Sequence, residues 1–268
     1  MTQISLPMYD LPGVEKATDA WCAGLARALK REGVTDAPRQ LTRGLSVAEL
    51  WRSPELLLSQ TCGYPLITAY ADDLSLLLAP VYKTLGCDAA GYRSFIVVYA
   101  DSTAKSLEDL RGARCAINGQ TSQSGMNVLR RTVAPLARDG RFFSEIIVSG
   151  KHPTSIAMIA AGEADVAAID CVTFGLMARH APESVAEVRI LTETQSAPSL
   201  PYVTRHDASS ELSQRLRAAL HRAAEDPDLA SVRENLLLDG FAELSLSDYS
   251  VMTEMESEAA ALGYPVLA

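Results

Sequence analysis

The segment Asn118-Gly119-Gln120-Thr121-Ser122-Gln123-Ser124-Gly125 carries hydroxyls at 121, 122 and 124, with glycines at 119 and 125. It follows the strand-like run Arg114 to Ile117 and precedes Met126, Leu129, Val133 and Leu136, which share one helical stripe. A helix start offers unpaired backbone N–H groups and the positive end of the helix dipole, and hydroxyls in the same turn add donors that can wrap a tetrahedral oxyanion. Gly119 and Gly125 let the backbone come close to whatever is held there. The plainer alternative is that Ser122 or Thr121 only caps the helix.

Gly150-Lys151-His152-Pro153-Thr154-Ser155 duplicates this strand-to-helix geometry, with Pro153 suited to the first helical turn. Here His152 can donate to an anion, and Thr154 or Ser155 is expected to cap the helix. A third turn ends the strand Asp165 to Cys171, where Asp170 stands at the sheet end that usually meets ligands in open α/β folds; it either takes a ligand amine or hydroxyl, or caps the next helix. Gln60-Thr61-Cys62-Gly63-Tyr64 is a fourth polar turn, and Tyr9 follows the first strand. Tyr9, Tyr64 and Tyr92 offer apolar walls with phenolic donors.

Catalytic templates fail. There is no GxSxG elbow, HExxH, GxxxxGK[ST] or GxGxxG, and a Ser122, His152, Asp170 triad has no support in the spacing, so no catalytic residue is assigned. His152, His180, His206 and His221 are not spaced for a metal, and neither a metal nor a cofactor is expected. Cys22, Cys62, Cys87, Cys115 and Cys171 form no CxxC and are odd in number, which favours reduced, mostly buried thiols.

The elements that must position these residues alternate between short apolar runs and amphipathic stretches, the pattern of an α/β fold. Strands are expected at Gln3 to Leu6, Leu56 to Gln60, Leu74 to Ala79, Ser94 to Ala100, Arg114 to Ile117, Glu145 to Val148, Val166 to Ile169, Val188 to Thr192 and Leu200 to Thr204. Several are apolar on both faces, as central parallel strands are. Ser209 to Gly263 reads almost wholly helical with no further strand. The extended segments Gly91 to Val97 and Thr192 to Pro201 are the natural crossings between two lobes, residues 1–93 plus 195–268 and residues 94–194, with a cleft between them.

Lys plus Arg number 24 against 33 Asp plus Glu, a net charge of −9, so a nucleic-acid backbone is repelled and an anionic small molecule must be held by local donors. No run reaches the ~18 apolar residues of a spanning helix, so no direct membrane insertion is expected. The first residues lack the features of an export signal, which leaves a cytoplasmic location open.

Leu6-Pro7-Met8-Tyr9, Ser122-Gln123-Ser124-Gly125, and Gly150-Lys151-His152 followed by Gly162-Glu163-Ala164-Asp165-Val166-Ala167-Ala168-Ile169-Asp170 together resemble the solute-binding proteins of phosphate, phosphite and phosphonate ABC transporters. The resemblance implies a two-lobe, type II periplasmic-binding-protein-like fold whose lobes close on a small oxyanion or organophosphonate. It also implies a periplasmic location and an ABC permease as partner. By motif match the resemblance carries to Thr121, Ser122, Ser124, Gly125, His152 and Asp170, and to Tyr9 and Tyr64, with the anionic head group at the hydroxyl-bearing helix starts and the ligand's other end against tyrosines and carboxylates; Thr61 and Ser155, from the polar turns themselves, complete the candidate ligand-binding set. Asn118 stands where many relatives place an acid. Two other readings share the fold: a cytosolic enzyme acting on a small metabolite, for which Asp170 or His152 is the candidate base, and a ligand-sensing domain.

Overall fold

A computed structural model describes residues 2–268, which divide into two compact α/β units. The first comprises the chain through Lys83 together with Asp88–Ala90 and Pro198–Asp248. Its sheet has the order Gln3–Ser5, Leu56–Gln60, Tyr202–Arg205, Leu74–Tyr82 and Leu238–Ala242. The first two strands are parallel and the remaining pairings antiparallel. Helix Glu15–Arg31 buries Trp21, Cys22, Leu25 and Leu29. Leu50, Trp51, Leu56, Leu66, Leu74 and Val203 form a core cluster in the same unit.

The second unit comprises Thr84–Cys87, Gly91–Ala197 and Tyr249–Ala268. Its sheet runs Val188–Glu193, Ser94–Tyr99, Val166–Asp170, Arg114–Ile117 and Glu145–Val148. Arg114–Ile117 is parallel to both of its neighbours, so the turns that follow Ile117, Val148 and Asp170 all leave the same end of the sheet. Ser94 is brought to that end from the opposite direction, because its strand is antiparallel and Ser94 pairs with Asp170.

Three expectations need correction. Ser94–Tyr99 is apolar on both faces yet antiparallel to both neighbours; burial on two sides, not strand direction, dictates that composition. The region after Ser209 is not wholly helical, since Leu238–Ala242 forms an edge strand on Leu74–Tyr82. Helix Ala230–Asn235 stops just before Leu237, whose φ of +56° turns the chain into that strand. The third concerns residues 249–268, assigned above to the first lobe but grouped with the second unit. There Asn127 Nδ2 donates to the Met252 carbonyl (2.8 Å), Arg130 to that of Pro265 (2.8 Å), and Phe142 N–H to that of Ala268 (2.7 Å). No helix among the described residues is long and apolar enough to cross a membrane.

Candidate functional site

The turn after Ile117 is shaped by Ser122. Its Oγ accepts from Gly125 N–H (3.0 Å), and its carbonyl accepts from Asn127 N–H (2.9 Å), one residue beyond α-helical spacing. The result is a single wide π-type turn, a geometry that recurs at functional sites, before the regular helix Val128–Val133. Gln123 and Asn127 anchor the turn from behind. Asn127 Nδ2 donates to Gln123 Oε1 (2.7 Å), and Arg130 donates to Asn127 Oδ1 (2.6 Å). Gln123 Nε2 lies 3.2 Å from the Met255 sulfur.

On the front of the turn, Ser124 Oγ lies 2.9 Å from His152 Nε2 and 3.5 Å from Ser122 Oγ. Because Ser122 Oγ already accepts the Gly125 N–H, its own O–H remains a donor. His152 is buried, and burial lowers its pKa from 6.5 to about 4, so the imidazole is neutral near pH 7. Its Nδ1 has no hydrogen-bond partner, and neither does the Asn118 Oδ1. Gly125 is needed for space: a Cβ there would lie 1.9 Å from Asn118 Oδ1 and 3.2 Å from His152 Cε1. A narrow crevice within this unit, too tight to admit a water molecule, is lined by Ser124 together with Tyr92, Ser94, Gln123, Thr194 and Gln195, among others. The Ser94 hydroxyl, buried and without a partner, is on its wall.

Ser122, Ser124, Gly125 and His152 are therefore gathered at one place, whereas Thr121 in the same turn is exposed. Ser155 bonds to Ser149 Oγ (2.6 Å) and fastens its own loop. It does not cap the helix as expected, and nor does Thr154: helix His152–Ala160 begins upstream of both, after Lys151, with no side-chain cap. Asp170 accepts from Thr173 N–H (2.8 Å) and caps helix Cys171–His180. Replacing it with Ala should destabilise the chain by about 1 kcal/mol, the usual value of a lost N-cap, whereas Asn should recover most of that. Urea unfolding of the two variants checks this; an equal loss in both would refute the capping account.

In the first unit, Tyr9 meets Tyr82 edge-on at 5.3 Å and lines a small hollow of ≈ 20 Å³ with Trp21, Gln60 and Tyr202. Gln60 Nε2 donates to Tyr82 Oη (3.1 Å) and the Leu200 carbonyl (2.9 Å). Thr61 is buried and donates its hydroxyl to the Cys62 carbonyl, and Tyr64 lies in the first turn of helix Gly63–Ala69. Sequence reasoning missed Tyr82, Ser94 and Thr194 as wall residues. Ser94 and Thr194 stand 100 residues apart and are joined only by strand pairing, with Ser94 N–H donating to Thr194 Oγ1 (2.9 Å). Among the described residues no cluster of His, Cys, Asp or Glu is arranged to hold a metal ion.

Two mixed sheets with polar turns collected at strand ends define the type II periplasmic-binding-protein fold. Similar solved structures have the same architecture. A binding-protein component of an ABC phosphonate transporter from Pseudomonas aeruginosa matches with a TM-score of 0.79 at 15% identity, over 98% of this chain and 87% of that one. PhnD1 from Prochlorococcus marinus, in complex with methylphosphonate, gives 0.75 at 14% identity over 97% and 98%. A Xanthomonas citri protein, XAC2383, bound to chloride ion gives 0.71 at 16% identity over 98% of both chains. Over residues 6–249 the sequence matches the family described as ABC transporter, phosphonate, periplasmic substrate-binding protein, and the chain belongs to that family. Its members are the non-enzymatic binding components of uptake systems.

Proposed function

We propose that this protein binds a small oxyanion or organophosphonate and delivers it to an ABC permease in the periplasm, holding the anionic head group against Ser122, Ser124 and His152. The observation that carries the reading is the run of neutral polar groups from Ser122 Oγ to Ser124 Oγ to His152 Nε2, at 3.5 and 2.9 Å, in the turn that Gly125 keeps open. The uncapped start of helix His152–Ala160 adds a dipole of the right sign beside it. A surface of net charge −9 offers no general attraction for anions, so selection must come from such fixed donors. The methylphosphonate found in the Prochlorococcus relative makes that compound the first probe.

Calorimetric titration with methylphosphonate, phosphate, phosphite, a sulfonate and a carboxylate tests the reading, with thermal unfolding in parallel. Ser124→Ala removes a hydroxyl donor to a charged group, worth about 1.5–3 kcal/mol, so the preferred anion should bind roughly 10- to 100-fold more weakly. Absence of binding by every member of the panel, or wild-type affinity in Ser124→Ala combined with His152→Ala, would overturn the assignment.

A further inference from the structure

Of the five cysteines, Cys22 and Cys115 are buried with their sulfurs nearest to the carbonyls of Pro38 and Ala116. Cys87 and Cys171, distant in sequence, instead face each other with their sulfurs 3.5 Å apart, both in the second unit. Main chain holds them there. Cys87 N–H donates to the Thr84 carbonyl (3.2 Å), closing a turn through Gly86, and Cys171 N–H donates to the Arg93 carbonyl (3.0 Å). Gly86 has φ +86°, and a Cβ on it would lie 2.8 Å from Cys171 Cβ and 3.0 Å from the Phe95 ring. The turn is thus pressed onto Cys171 as closely as a residue without a side chain allows, and the pairing of the sulfurs follows from backbone geometry.

We propose that Cys87 and Cys171 form a redox-active pair that closes to a disulfide by exchange with a low-molecular-weight disulfide. A disulfide bond is about 2.05 Å long, so the sulfurs must approach by roughly 1.5 Å, within reach of small side-chain torsions. Cys87 is half-buried and Cys171 fully buried, so the oxidant meets Cys87 first. The Cys87 thiolate, its proton lost to solvent, attacks one sulfur of the small disulfide, whose S–S bond breaks and releases one small thiol. Cys171 then gives up its proton and attacks the Cys87 sulfur, expelling the second small thiol. Two protein thiols are oxidised and one small disulfide is reduced to two thiols.

The hydrogen bond to Cys87, and then burial, push the Cys171 thiol pKa up. The second step is therefore the slower one and should accelerate as pH rises. Cys171 is the first residue of the helix that Asp170 caps, so the closed form ties that helix start to the Thr84–Cys87 turn. An oxidising compartment favours this form and a reducing one the dithiol. The inference does not depend on which anion the protein binds.

The test uses the full chain, fully reduced, desalted and incubated with excess oxidised glutathione. The free-thiol titre, read in denaturant once the glutathione has been removed, should fall by two from five, and non-reducing peptide mapping should recover a Cys87–Cys171 link. Cys87→Ser should prevent that link from forming. Cys171→Ser should halt at a glutathione adduct on Cys87; if that buried substitution fails to fold, mapping of the wild type and of Cys87→Ser decides alone. Five thiols persisting in the folded protein, a stable adduct on wild-type Cys87, or a link between any other pair would overturn the proposal.

Discussion

Gly125→Ala should destabilise the second unit by about 2 kcal/mol, the middle of the range for a methyl group forced into a packed site, and should abolish anion binding. No unusual backbone angle is involved. The cost arises because the new Cβ would lie 1.9 Å from Asn118 Oδ1, a buried oxygen, and 2.9 Å from Asn118 Cγ, so the amide must shift to make room. Asn118→Ala removes the obstacle. In urea unfolding the double variant should therefore be more stable than the sum of the two single losses predicts, with a coupling of about 1 kcal/mol or more. Strict additivity would show that Gly125 is required for another reason. Binding should return in part with the double variant, because Ser122 and Ser124 regain their places while the amide is gone.

His152 makes the stability of the protein depend on pH in a definite direction. Burial lowers its folded-state pKa from 6.5 to about 4. Between these values the unfolded chain takes up a proton that the folded chain refuses. The stability associated with a neutral buried imidazole is therefore complete above pH 6.5 and is lost progressively as pH falls toward 4. A displacement of this size corresponds to about 3 kcal/mol. His152→Gln should flatten the fall in urea midpoint over that interval relative to wild type, and a slope unchanged by the substitution would remove His152 as its source. A bound anion should reverse the effect by favouring imidazolium, so ligand binding in the acidic range should take up a proton from buffer, measurable as a buffer-dependent heat.

The sequence reading succeeded where chemistry is local. Ser122, with a glycine three residues on and a helical stripe beyond, was enough to place a capped turn after Ile117, and Asp170 was readable as a cap from its position between strand and helix. The parallel pairing of Arg114–Ile117 with its two neighbours then carries Ser124 and His152 to a common edge, which strand order alone suggests. What escaped depends on partners distant in the chain. Asn118 draws its importance from the missing Cβ of Gly125, Ser94 from Thr194 across the sheet, and the Leu238–Ala242 strand from an available edge on Leu74–Tyr82. Leu236, Leu237 and Leu238 in succession fit either a helix or a buried strand, and only tertiary pairing decides between them. The extra residue in the turn at Gln123–Asn127 left no mark on the apolar spacing either, since Met126, Leu129 and Val133 are buried all the same.

The bonds that brace this turn from behind also impose an order on biosynthesis. Gln123, Asn127 and Arg130 emerge from the ribosome well before Met252, Met255 and Pro265, the groups that receive their hydrogen bonds. The other unit likewise waits for residues 198–248 to complete its sheet. Each half therefore completes its pairings only once residues far along the chain have been added, in contrast to the usual amino-terminal-first sequence of multidomain chains. Until those late residues arrive, the earlier part of each half lacks the hydrogen-bond partners that fix it.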